Sequence, residues 1–297
     1  MRIALLGATG QIGQSLAPLL SRRHELVLFS RPRQGKLTSG HLALERLNET
    51  PCDLIINALG PGAPGRMREL GGDLFATFQR LDQIGLDYLE KAPNTAYIYL
   101  SSGAVYGPQY TPPVGIDSCL SLPINQDLSG FAYPLAKVTI EARHRQRSHL
   151  KICDLRIFGY YSALIRLNDS FLLAQLTRSL CQQQSFQTHP QELIRDYIGP
   201  TELAAAVEAV IELGVPNAAF DLCSREPVSK ADLLAFFAQQ GLSYQIDPPG
   251  HLETIAKPAL ISTHLSLYQR SGLERPLSSL EVIDRELQRL RSHKSGD

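Results

Sequence analysis

The chain begins with a short apolar run that breaks into glycines at a spacing of three, "RIALLGATGQIGQSLAPLL". Residues 3–8 read as a strand and the pattern after residue 11 as a helix, so Gly7, Gly10 and Gly13 stand at a strand-to-helix turn. At such a turn Gly7 permits the tight bend, Gly10 lets phosphate groups approach the backbone, and Gly13 lets helix and strand pack closely. The free amides of Gln11 and Ile12, with Thr9 in the turn itself, then face a bound pyrophosphate. The alternative is a tight turn that holds nothing.

The motif sits in a repeating context. Apolar runs "IALLGA" (3–8), "LVLFS" (26–30), "DLIINAL" (53–59), "AYIYLSS" (96–102) and "ICDLRIF" (152–158) alternate with helical patterns such as "QIGQSLAPLLSRR" and "DLFATFQRLDQIGLDYLEKA". Near-continuous apolar strands separated by helices predict an α/β chain with a doubly wound parallel sheet of Rossmann type, whose ligands bind beyond the strands' carboxyl ends. The stretch between Arg31 and Pro51 has room for only an abbreviated third crossover. Residues 1–158 are read as a dinucleotide-binding domain, with a return to it near 195–225, and 159–297 mainly as a smaller, interleaved substrate-binding lobe. Ser229 and Asp232 form an S-x-x-D box that marks a helix start, while "GPGAPG" (60–65) and "YGPQYTPPVG" (106–115) read as loops.

Composition removes several function classes. Lys plus Arg and Asp plus Glu both number 29, and no basic run stands out, so neither nucleic acid nor a membrane surface is expected as partner. Five scattered cysteines without a CxxC pair fit reduced thiols, and no signal peptide, membrane span or metal site is apparent; the expected setting is the cytoplasm.

The second strand ends in "LFSRPR", where an NAD site carries an acid for the adenosine ribose. Ser30 takes the acidic position, followed by Arg31 and Arg33, which favours the extra phosphate of NADP, with NAD as the alternative cofactor. A solvated basic turn is the competing reading. Further on, "GFAYPLAKV" sets Tyr133 and Lys137 four positions apart, on one helical face. A phenol with pKa near 10 needs a neighbouring cation to exchange protons at neutral pH, and Lys137 supplies one. Pro134 requires the helix to begin close to Gly130, with Ser129 as candidate cap. Ser102, ending "AYIYLSS", can orient a substrate oxygen toward the phenol. Each feature alone has a structural explanation, a snorkelling lysine or a strand-terminating serine.

Taken in order, "GATGQIG", "INALG", "LSSGAVYG", "YPLAK", "LRIFGYY", "RDYIGPTELA" and "EPVS" resemble the extended short-chain dehydrogenases/reductases, in their NAD(P)-dependent epimerase/dehydratase branch acting on nucleotide sugars. That resemblance implies a catalytic set of Ser102, Tyr133 and Lys137, with Lys137 also on the nicotinamide ribose. It implies that Ala58, Leu59, Gly60 and Phe158 line the cofactor, and that Tyr161 and Arg195 meet the substrate, Arg195 at the nucleotide diphosphate. It further implies a homodimer. The chain departs from the pattern at Gly103 and Ala104, where dehydratases carry an Asp-Glu pair, and at Gly159 and Gly199, where asparagine and histidine are usual. Dehydration is therefore disfavoured. The leading expectation is NADP-dependent reduction of a keto group on a nucleotide-linked sugar. An epimerase that retains its cofactor and a non-catalytic NADP-binding sensor are the alternatives.

Overall fold

The computed structural model describes residues 1–32, 34–62, 64–107, 113–247, 262, 266–274 and 276–294. The first half supplies strands β1 (Arg2–Leu6), β2 (Glu25–Ser30), β3 (His41–Ala43), β4 (Leu54–Asn57), β5 (Ala96–Ser102) and β6 (Ile152–Ile157), with helices α1 (Gln11–Leu20), α2 (Pro64–Leu70), α3 (Asp73–Lys91) and α4 (Ala132–Gln146) between them. Then follow α5 (Leu172–Gln182), β7 (Phe186–Thr188), β8 (Ile194–Arg195), α6 (Pro200–Glu212), β9 (Ala218–Leu222), β10 (Val228–Ser229), α7 (Lys230–Gln239), β11 (Tyr244–Ile246), α8 (Ser266–Ser271) and α9 (Ser279–Lys294).

Seven strands form one parallel sheet in the order β3-β2-β1-β4-β5-β6-β9, the doubly wound arrangement expected from the alternating pattern. Strand periodicity of two sorts its side chains. Ile3, Leu5, Ile56, Ile98 and Leu155 point to the face covered by α1 and α6, whereas Ala4, Leu6, Ile55, Tyr97 and Tyr99 point to the face covered by α3 and α4. Both faces are sealed, so fully buried leucines and isoleucines each contribute about 1.5–3 kcal/mol and leave the strand ends as the exposed features of the sheet. The third crossover shrinks to the three-residue β3 and a 3-10 helix over Leu44–Glu49.

The remaining chain packs α5, α7 and α9 around Leu173, Leu176, Leu233, Phe237, Ile283 and Leu287. Two short ribbons, β8 with β10 and β7 with β11, edge this second core. The hydroxyl of Ser229 accepts the Asp232 amide at 3.0 Å, so the predicted box does start α7. The expected loop over 60–65 gives way to α2 from Pro64, because proline is favoured where a helix begins. Among the described residues, no helix is long and apolar enough to cross a membrane.

Candidate functional site

The glycine turn follows β1 and brings the chain back over the sheet's carboxyl edge. Gly7 has φ +84°, and the Gly7 and Ala8 amides both donate to Phe29 O at 3.0 Å, which fixes the turn against the end of β2. A Cβ on Gly13 would lie 2.4 Å from Gly7 O, and one on Gly7 would lie 2.8 Å from Ala58 O, so α1 and the loop after β4 are held closer than any larger residue allows. Helix α1 begins at Gln11 with Gly10 ahead of it and no side-chain cap, which leaves its first amides without intrahelical acceptors. Gln11 Nε2 donates to Ser162 Oγ at 3.2 Å, tying the turn to the segment after β6.

At the tip of β2, Ser30 is 1% exposed and its hydroxyl has no hydrogen-bond partner among the described residues. Arg31 is exposed and makes no ion pair there, whereas Arg33 lies outside the described residues. A cavity of about 290 Å³ opens beside the turn, lined by residues that include Thr9, Gln14, Thr38 and His41.

The Tyr–Lys helix starts later than the sequence suggests. Residues Ser129–Phe131 form a 3-10 turn and α4 begins at Ala132, with Phe131 at the cap position and no side-chain cap. Ser129 does not cap it: its hydroxyl and amide both go to Asp127, at 2.7 and 2.9 Å. Pro134 falls at the third helical position, where its missing N–H breaks no helical bond.

Tyr133, Lys137 and Ser102 meet. Ser102 ends β5, accepts the Ala104 amide at 3.2 Å, and lies near enough to the Tyr133 phenol for its hydroxyl to pull that group's pKa down. The Phe78 ring of α3 packs 5.5 Å from the Tyr133 ring, and Gly60 lies under Phe78, where a Cβ would come within 2.6 Å of it. Contacts therefore run continuously from Gly7 through Ala58, Leu59 and Gly60 to Phe78, Tyr133 and Lys137.

The electrostatics differ from the simple expectation. Lys137 is 4% exposed and its ammonium donates to Tyr99 Oη at 2.8 Å and to Leu100 O at 3.1 Å. Burial lowers its pKa to about 8 against the opposing pull of Glu141, Asp82 and Asp154. That shift represents on the order of 3 kcal/mol against the charged form. Tyr133 is raised, not lowered, because desolvation outweighs the lowering that Ser102 exerts. The ammonium 5.8 Å from the Tyr133 ring does not make that phenol acidic in the free protein.

Two buried polar networks support this arrangement. In one, Arg156 donates to Glu141 and Asp221, Ser101 donates to Glu141 at 2.6 Å, and Tyr106 donates to Asp221 at 2.9 Å. In the other, His144 lies between Asp154 at 2.7 Å and Asp82 at 3.0 Å. Burial alone would lower the His144 pKa; the two carboxylates outweigh it and lift it to about 9.

Other expected residues fall elsewhere. Phe158 is 8% exposed and packs over Gly103, where a Cβ would lie 2.6 Å from its ring. Tyr161 requires correction as a substrate residue: it is fully buried in the second core, with its hydroxyl on Thr177 at 3.0 Å, because the chain beyond β6 turns inward there. Arg195 is half-buried on β8 and donates to Ile194 O at 2.7 Å. The glycines at the two unusual positions have steric reasons, since a Cβ on Gly159 would sit 2.4 Å from Asp196 O and one on Gly199 2.8 Å from Arg285 Nη2. Sequence reasoning missed Phe78 and Tyr99, which lie on α3 and β5 and reach the site only through packing; the alternation of β5 could have placed Tyr99 on the face shared with α4.

No curated protein matches the chain in sequence. Among solved structures, UDP-glucose 4-epimerase with UDP-glucose from Thermotoga maritima superposes with a TM-score of 0.80 at 16% identity, covering 99% of both chains. The dTDP-glucose 4,6-dehydratase of Bacillus anthracis in complex with NAD gives 0.79 at 12% identity, over 99% of this chain and 98% of that one. An epimerase of Methanothermobacter thermautotrophicus gives 0.81 at 14% identity, over 99% and 93%. At these identities the likeness establishes the fold. The model of the NAD dependent epimerase/dehydratase family matches residues 3–223, three-quarters of the sequence, and the chain belongs to that family.

Proposed function

We propose that the protein is an NADP-dependent reductase of a keto group on a nucleotide-linked sugar. The observation that carries this reading is the meeting of Ser102, Tyr133 and Lys137 at the carboxyl end of β5, joined by direct packing to the glycine turn. The cradle fits a dinucleotide: Gly7 and Gly13 leave no space for side chains, α1 presents amides without intrahelical acceptors, and among the described residues the Ser30 hydroxyl lacks a partner where an adenosine ribose would lie. Thr9, Gln11 and Ile12 would hold the pyrophosphate, Arg31 the 2′-phosphate, and Ala58, Leu59, Gly60 and Phe158 would line the rest. A nicotinamide held there supplies the hydride.

The chain's own groups then handle the proton. Ser102 orients the substrate carbonyl, and Tyr133 protonates its oxygen. A phenol kept neutral by burial suits this direction, because it arrives carrying the proton that the developing alkoxide needs. Lys137 uses two of its three donors on Tyr99 and Leu100 O, which leaves one for the nicotinamide ribose. Arg195, on β8, would meet a diphosphate. Elimination of water is disfavoured, since the dehydratase acid position is Gly103 and is covered by Phe158.

A second reading, epimerisation with retained cofactor, is favoured by the likeness to proteins named as epimerases. One experiment separates the two: incubation with NADPH or NADH and a panel of keto-sugar nucleotides, following absorbance at the nicotinamide band and identifying products. Stoichiometric NADPH oxidation with one reduced sugar is expected. Interconversion of two sugar nucleotides without net consumption establishes the epimerase instead, and cofactor binding without any turnover leaves a sensor.

A further inference from the structure

Lys137 is the only part of the Ser–Tyr–Lys set whose ammonium must be kept charged inside a sealed core, and its surroundings are built for that from β5. Its Nζ lies 4.4 Å from the centre of the Tyr99 ring and 4.7 Å from that of Phe78, with Tyr133 at 5.8 Å, so three aromatic rings surround the cation. Of its two hydrogen-bond acceptors, one is the backbone carbonyl of Leu100 and the other is the Tyr99 hydroxyl at 2.8 Å. Tyr99 is itself 1% exposed, and burial holds its phenol well above the usual range, so the oxygen remains a neutral acceptor. Its ring packs nearly perpendicular to that of His144, the two ring centres 5.6 Å apart, and the Asp154–His144–Asp82 chain holds that imidazole.

We propose that Tyr99 is a positioning residue for the reaction: its hydroxyl and ring aim the Lys137 ammonium toward the cofactor ribose and keep it charged, and Tyr99 does this without touching substrate or cofactor. This rests on the role given to Lys137 above. The groups that act on the ammonium are distributed over every neighbouring element: Tyr133 and Glu141 on α4, Asp82 on α3, Tyr99 on β5 and Asp154 on β6. The carboxylates among them engage other cations, Glu141 with Arg156, and Asp82 and Asp154 with His144. Among the described residues none of them accepts a hydrogen bond from Lys137, and the Tyr99 oxygen is the ammonium's one side-chain acceptor there.

The test is Tyr99→Phe, which keeps the ring and removes the acceptor, with Tyr97→Phe as control, since the Tyr97 hydroxyl is also buried on β5 but donates to Asp82. In protein carrying 13C,15N-labelled lysine, the Lys137 side-chain resonance, assigned by its loss in Lys137→Met, is titrated by NMR. Tyr99→Phe is expected to lower its midpoint by about one unit, to move the basic limb of the kcat profile with it, and to leave NADPH affinity within about twofold. Tyr97→Phe leaves the midpoint in place. If Tyr99→Phe does not fold, 3-fluorotyrosine at position 99 weakens the same acceptor and the same resonance is read. An unmoved midpoint in the variant overturns the proposal, whatever its activity. A lowered midpoint in a protein whose wild type turns over no carbonyl substrate upholds the role of Tyr99 in holding the ammonium and removes the reductase reading alone.

Discussion

The glycine turn and the Tyr–Lys helix lie at the same edge of the sheet and are built by opposite means. The turn is made of backbone: Gly7 at positive φ and Gly13 pressed against Gly7 O hold it by the absence of side chains, and charge plays no part in its shape. The region around Lys137 is made of side chains, with an ammonium, a phenol, three rings and flanking carboxylates whose burial sets their protonation. One is broken by adding an atom, the other by removing one. A backbone cradle tolerates pH and salt but no bulk, whereas a buried electrostatic site tolerates modest repacking but no lost partner.

The sharpest break is Tyr133→Phe. Turnover should fall roughly 10²–10⁴-fold, the usual worth of a positioned general acid, while NADPH binding measured by fluorescence titration stays nearly the same. Unchanged turnover would remove the proton path. On the other side, Gly13→Val should cost about 1–3 kcal/mol of stability in chemical denaturation and abolish cofactor binding, because the new side chain meets backbone at Gly7 and Ala8. A variant that binds NADPH as wild type does would show that the turn is not a cradle.

A third test uses pH. The folded pKa of His144, about 9, stands above its ordinary 6.5, so its contribution to stability is complete below pH 6.5 and fades as pH rises toward 9. Lys137, lowered from 10.5 to about 8, acts in the opposite sense above pH 8. Between pH 6.5 and 8, denaturation midpoints should therefore decline in the wild type and stay flat in His144→Gln. Equal slopes would place the titration elsewhere. The smallest effect is expected at the exposed Arg31: replacement by alanine should weaken NADPH about fivefold, roughly 1 kcal/mol, and NADH hardly at all. Equal losses would refute the 2′-phosphate assignment.

The five strands read from apolar runs all lie in the sheet within two residues of their expected ends, because a strand buried on both faces must be apolar almost throughout. Boundaries set by weaker preferences moved: α4 begins at Ala132 without help from Ser129, whose hydroxyl and amide donate to the Asp127 carboxylate. The second core was the least legible. Its β8 and β10 are two residues long, too short for any periodicity, and α9 carries a pattern whose meaning depends on which helices it covers. Tyr161 illustrates the cost, since a motif position open to substrate in a resemblance is closed here by Thr177 and the packing of α5.

The amino-acid sequence by itself determined the parallel sheet, the glycine turn and the spacing of Tyr133 and Lys137, because each is a local matter of periodicity or of which residue a backbone conformation admits. Only the tertiary structure decided which way the ammonium turns and which phenol stays neutral. Those outcomes follow from burial and from partners far apart in sequence, Tyr99 on β5, Phe78 and Asp82 on α3 and Asp154 on β6. A side chain's charge state answers to everything within a few ångströms, and that neighbourhood exists only once the chain has folded.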